Sequence, residues 1–162
     1  MKLINTLTLA AASTICDEAL RIARQEDMHP LTVVVLDAGG RLVAAKSEDG
    51  SGLLRSDIAF GKAWGALGMG MSSRLIRDRL SERPVFQTAL AAAAQGRFVP
   101  VPGGVLIENA QGETIGAVGI SGDTSEKDEY CAIVAIQVAG LRSEPAEVDP
   151  SWSSSTLGPE EG

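Results

Sequence analysis

Pro102-Gly-Gly-Val-Leu-Ile-Glu-Asn-Ala-Gln-Gly-Glu-Thr-Ile-Gly-Ala-Val-Gly-Ile-Ser-Gly-Asp-Thr-Ser-Glu-Lys-Asp-Glu129 holds two short apolar runs, Val105–Ile107 and Thr114–Ile120, parted by the polar turn Asn109-Ala-Gln-Gly112. Apolar runs joined by a polar, glycine-bearing turn read as a β-hairpin. Gly116 and Gly119 lie inside the second strand, where a missing side chain marks a bulge or the close approach of another element. Ser121-Gly122-Asp123 turns the chain again. Thr124 or Ser125 can then cap a helix, with Glu126, Asp128 and Glu129 near its positive end. Gly103-Gly104 before the hairpin and Ser121-Gly122 after it are expected at one end of the sheet. Exposed backbone N–H groups there suit a ligand cradle, and they equally suit an ordinary hairpin leading into a helix.

Upstream, Thr8 to about Glu26 reads as an amphipathic helix, with Leu7, Ala11, Ile15, Ala19 and Ile22 on one face. Met28-His-Pro30 ends it, because proline disfavours helical geometry in the preceding residue. Leu31–Leu36, the turn Asp37-Ala-Gly-Gly40 and Arg41–Lys46 form another hairpin. After the polar loop Ser47–Gly52, Ser56 or Asp57 is expected to cap a helix reaching Met69. Its glycines, Gly61, Gly65 and Gly68, cost helix propensity of up to ~1 kcal/mol each. That points to close backbone packing, within the chain or between subunits. Ser73–Leu80 and Val85–Gln95 are two further helices. Arg97–Pro102 is extended, and Asp128–Leu141 is a largely buried final helix. From Glu144 the composition turns polar and acidic, so residues 1–143 are expected to form one domain and 144–162 a mobile tail on which Trp152 could dock against a neighbour. Hairpins separated by a helical insertion give an α+β class, an antiparallel sheet with helices packed against it.

The chain has 162 residues, 44% of them hydrophobic, enough for one domain with a real core. A net charge of −7 and a pI near 4.7 argue against nucleic acid and anionic membranes as partners, since both require basic surface. No window is long enough to span a bilayer. The first residues resemble a secretion signal only faintly, since Asn5, Thr6 and Thr8 interrupt the apolar run, and a cytoplasmic protein is expected. Cys16 and Cys131 match no metal spacing and read as free, buried thiols. With His29 the one histidine, a multi-histidine metal site within one chain is excluded.

Lys62 is the leading functional candidate. Set among small apolar neighbours on a helix, its ammonium could be desolvated enough to hold an anion or act as a base. It could instead pair at the surface with Asp57 or Glu48. Asp128 and Glu129 are adjacent, so on a helix they point about 100° apart and cannot address one atom together. One could face a pocket as acid or base, and both could serve only the helix dipole.

Val35-Leu-Asp-Ala-Gly-Gly40, Asp57-Ile-Ala with Lys62-Ala63, Pro102-Gly-Gly104, and Gly116-Ala-Val-Gly-Ile-Ser-Gly122 with Asp128-Glu129, in this order and spacing, resemble the GlcG/HbpS-like family, which includes the C-terminal domain of PduO-type proteins. The resemblance covers residues 8–141. It implies a profilin-like or PAS-like sheet flanked by helices, assembly into dimers or larger homo-oligomers, and haem or another small molecule as ligand. For such a ligand the cradle read above makes Lys62, Gly103, Gly104, Ser121 and Gly122 the expected binding residues, with His29 the expected haem ligand by residue type. Two alternatives stand behind haem or tetrapyrrole binding. One is a small catabolic enzyme using Lys62 with Asp128 or Glu129 in lyase or isomerase chemistry. The other is a non-catalytic sensor subunit. The sequence departs from the family where Ser47-Glu48-Asp49-Gly50 stands in place of Arg-x-Asp-Gly, which removes a cation.

Overall fold

The computed structural model describes Met1 and residues 3–158. Five helices and five strands follow in the order α1 (Leu9–Gln25), β1 (Thr32–Asp37), β2 (Leu42–Ser47), α2 (Arg55–Met69), α3 (Ser73–Leu80), α4 (Pro84–Ala93), β3 (Gly104–Glu108), β4 (Thr114–Ser121), α5 (Ser125–Val138) and β5 (Arg142–Glu144). The strands form a single antiparallel sheet in the order β2-β1-β4-β3-β5. The two hairpins are therefore joined through β1 and β4, with Thr32 opposite Ser121 and Val34 opposite Gly119. This is the α+β architecture expected from the sequence.

Helices cover both faces of the sheet. Val33, Val35, Val105, Ile107, Val118 and Ile120 point to one side, where they bury the apolar stripes of α1 and α5. Val34, Leu36, Leu106 and Ala117 point to the other and meet Ala59, Ala63 and Ala66 of α2. Alternation along each strand separates the two cores. A third cluster, Ile76, Leu80, Ala94 and Phe98, seats α3 and the end of α4 beside Trp64 and Met69 of α2.

Contact between α2 and the sheet depends on missing side chains. A Cβ at Gly119 would fall 1.8 Å from the carbonyl oxygen of Ala59, and one at Gly104 would fall 2.3 Å from that of Lys62. The helix backbone thus rests directly on β3 and β4. Its own glycines serve the opposite side, where Gly61 and Gly65 admit Val99 and Phe98. At those two positions the close packing lies within the chain.

Thr8 and Thr124 cap α1 and α5, accepting from the amides of Ala11 and Lys127. The cap expected at Ser56 or Asp57 is not formed: α2 begins earlier, with Leu54 at its cap and no side-chain acceptor. The stretch from Glu144 departs furthest from its reading as a mobile tail. Residues 142–144 add a strand to the edge of β3, the Ser72 amide donates to the Glu144 carboxylate at 2.6 Å, and Trp152 stacks on Tyr130 of its own chain. Polar composition concealed this, because its backbone is satisfied by the edge strand and its one large ring finds a partner. Residues 159–162 of the expected tail lie outside the described residues.

Gly119→Ala is expected to lower unfolding free energy by at least about 3 kcal/mol, since backbone must move to admit the methyl group. Gly52→Ala, where the added Cβ would meet only Arg55 Cγ at 3.8 Å, is expected to change it by less than about 0.5 kcal/mol. Urea denaturation of both variants checks the contrast.

Candidate functional site

Strand register brings the candidate residues to one end of the sheet. β1 begins there at Thr32, β4 ends at Ser121, and β3 begins at Gly104 opposite Gly119. His29-Pro30, Gly103-Gly104 and Ser121-Gly122-Asp123 are thereby neighbours, and α2 delivers Lys62 from above the two glycines. Gly39-Gly40 turns the chain at the opposite end, beside Trp64.

The Lys62 side chain is 2% exposed. Its Nζ donates to the Ile120 carbonyl at 2.8 Å and to Asp128 Oδ2 at 3.0 Å. A Cβ at Gly103, whose φ is +118°, would sit 2.8 Å from that Nζ, so glycine is what leaves the ammonium room. Lys62 is desolvated, as one reading of the sequence expects, and its partner is Asp128 rather than Asp57 or Glu48. The second oxygen of Asp128 accepts from the Asp123 amide at 3.1 Å. Burial pushes the Asp128 carboxyl up to about 6, against the pull of the Lys62 charge.

Glu129 faces elsewhere, as adjacent helical positions require. Its carboxylate lies 3.1 Å from Arg74 Nε of α3. Burial raises it to about 7, with Arg74 opposing. Asp128 and Glu129 are each 1% exposed, so Lys62 and both carboxylates are sealed from solvent.

From Asp128 the network runs outward to a solvent-facing group. Asp123 Oδ2 accepts from the His29 amide at 2.8 Å, and its Oδ1 accepts from the Thr124 amide and approaches Lys127 Nζ at 3.3 Å. Burial opposes ionisation of Asp123, but those two amides and Lys127 hold its carboxyl below the usual range. Arg24 Nη2 donates to the His29 carbonyl at 3.1 Å. The backbone of His29 is therefore gripped on both sides while its side chain is exposed. Arg24 also pairs with Glu48 at 2.8 Å, and Glu48 accepts from the Leu31 amide. Together with Pro30, Ser47 and Asp49 they line an open cavity of about 490 Å³. Arg24 brings the positive charge to this lining, opposite Glu48. Ser121, buried, accepts from Arg55 at 3.1 Å.

Arg24, Arg55, Arg74 and Lys127 were not legible as site residues in the sequence. Each answers a carboxylate, carbonyl or hydroxyl, and for Arg55 and Arg74 that partner is more than fifty positions away. Among the described residues no cluster of three or more His, Cys, Asp or Glu could hold a metal ion. Cys16 and Cys131 are free and buried, and burial raises both thiols, Cys16 to about 11. Among the described residues no helix is long and apolar enough to cross a membrane.

A family model described as haem degrading protein HbpS-like matches residues 7–137. An uncharacterised 15.0 kDa protein from the dhaT-dhaS intergenic region of Citrobacter freundii is 31% identical over 133 residues, 82% of this chain and 92% of that protein. A crystal structure of a PduOC–haem complex superposes with a TM-score of 0.77 at 25% identity, over 87% of this chain and 99% of the other. The ORFY protein of Klebsiella pneumoniae superposes with a TM-score of 0.75 at 26% identity, over 86% and 94%.

Removing the ammonium alone, in Lys62→Met, leaves a buried carboxylate without its cation and is expected to cost about 3–5 kcal/mol. Lys62→Met combined with Asp128→Asn should recover part of that loss, which urea unfolding of single and double variants measures. Glu129 makes a separate prediction about pH. The folded protein keeps this proton up to about 7, against an ordinary value of 4.5. Between those values the unfolded chain binds fewer protons, so this group makes stability fall as pH rises through the window. Glu129→Gln should flatten that fall in denaturation series collected from pH 4.5 to 7.

Proposed function

The chain belongs to the HbpS-like family, and from that premise we propose that it binds haem or a related tetrapyrrole at the His29 end of its sheet. The observation that carries this reading is the setting of His29: an exposed imidazole on a backbone fixed by Asp123 and Arg24. A neutral imidazole is a common ligand of haem iron, and one carried on a held backbone has only its own side-chain rotations to lose on binding. Arg24 and Lys127 flank it and are suited to the carboxylates of such a macrocycle. The donor set therefore fits the group. Bound haem would supply an iron centre able to change oxidation state and take a further ligand.

Lys62, Asp128, Gly103, Gly104, Ser121 and Gly122 act beneath this surface as positioning residues. The Lys62–Asp128 pair orients Asp123, and Asp123 orients His29. We assign Glu129 to holding α3 against α5 through Arg74. Catalytic duty for Lys62, Asp128 or Glu129 would require opening a pair that is saturated and sealed, which gives the binding reading precedence over lyase or isomerase chemistry. A homo-oligomer is part of the proposal. Helix α4 buries none of its residues, and Val85 is 82% exposed on it. A second copy of the chain is the natural cover for that surface. Free thiols suit the reducing cytoplasm.

Titration with haem should give a saturable shift of the Soret band. His29→Ala should remove the shift and weaken binding by at least about tenfold, while Arg24→Ala should weaken binding and leave the band position unchanged. A band that is the same in wild type and His29→Ala would overturn axial ligation by this residue.

A further inference from the structure

The family match ends at residue 137, and the chain beyond it forms a strap laid back on the domain. Past β5, Gln137 Nε2 donates to the Ala146 carbonyl at 3.0 Å and Arg74 Nη2 to that of Glu147 at 2.8 Å. The hydroxyls of Thr124 and Ser155 share a hydrogen bond. At the centre of the strap Trp152 lies flat on Tyr130, with ring centroids 3.7 Å apart and planes 1° from parallel. Aromatic side chains paired by their own preference favour offset or edge-to-face arrangements. The near face-to-face stack seen here is also the geometry in which a flat conjugated ligand lies on a tyrosine.

Tyr130 lies three residues after Lys127 on α5, one turn further along the same face, and Lys127 approaches the Asp123 carboxylate that accepts from the His29 amide. Thr124, which holds Ser155, comes directly after Asp123, which grips His29. The strap thus runs from Tyr130 to the cap of α5, where it meets the residue next to Asp123.

We infer that residues 145–158 are a tethered lid: Trp152 occupies on Tyr130 the stacking surface that a flat, carboxylate-bearing macrocycle takes beside His29, and the ligand displaces it on entry. This rests on the binding reading above and names the regulation of that same site. The lid is held so that it can open. Apart from Trp152 its large apolar residues are Val148 and Leu157, and Leu157 is 60% exposed. Few buried apolar contacts and exposed hydrogen bonds define a segment that opens locally while the core stays folded.

Metal-free protoporphyrin tests the lid separately from iron ligation, because it has no metal for His29 to bind. The full chain carrying Trp152→Ala should bind it up to about tenfold more tightly than wild type, the scale of one aromatic stack. Tyr130→Leu should weaken binding. In wild type labelled with 5-fluorotryptophan, the Trp152 fluorine resonance, assigned with Trp64→Phe, should move to its unfolded-chain position at saturation. Equal affinity of wild type and Trp152→Ala, an unmoved Trp152 resonance in the saturated complex, or no binding by any variant would overturn the lid. A His29-dependent haem spectrum alongside any of these results leaves the binding reading standing without it.

Discussion

Lys62 is carried into the interior by a helix that reaches the sheet only because Gly104 and Gly119 have no side chains. Once there, the ammonium must be answered by protein groups, because an unpaired buried charge is among the most destabilising features a core can hold. A strand carbonyl, Ile120, and a helix carboxylate, Asp128, supply the answer. The three donors and acceptors come from α2, β4 and α5, so the pair ties together layers on opposite faces of the sheet. Gly103 completes the arrangement by leaving the Nζ unobstructed.

The same constraint explains why the two adjacent carboxylates of α5 have separate partners. Helical geometry points them apart, and each meets a cation from a different helix, Lys62 of α2 and Arg74 of α3. Each is raised by burial and only partly restored by its cation. Charges kept in this condition hold elements in register rather than add much net stability. What they fix here is the orientation of α5 and the turn before it, from which Asp123 reaches His29.

How far the sequence revealed this depends on the range of each interaction. Hairpins, the helix cap at Thr124 and the close approach at Gly119 are written in local spacing and were readable. The desolvation of Lys62 was readable from its small neighbours, while its pairing with Asp128 needed a separation of 66 positions that no local pattern encodes. The cradle reading could place Lys62, Gly103 and Ser121 together without saying that they are sealed. Arg74 carried no signal on its own short helix, because its partner Glu129 belongs to another element. The strap was missed for a different reason. Low hydrophobic content is evidence for mobility only where no partner waits, and Tyr130 and the open edge of β3 are partners invisible in composition.

A buried ion pair often stabilises no more than apolar residues of the same volume, but unlike them it orients the groups it bonds to. Both oxygens of Asp128 are committed, one to Lys62 and one to the Asp123 amide. Rotation of that carboxylate would release the turn and with it the carboxylate that holds the histidine backbone. A hydrophobic substitute could fill the volume and would orient nothing. The interior pair and the backbone of His29 are therefore linked through Asp123, the buried end held by paired charges and the outer end by the contact of a carboxylate with an amide.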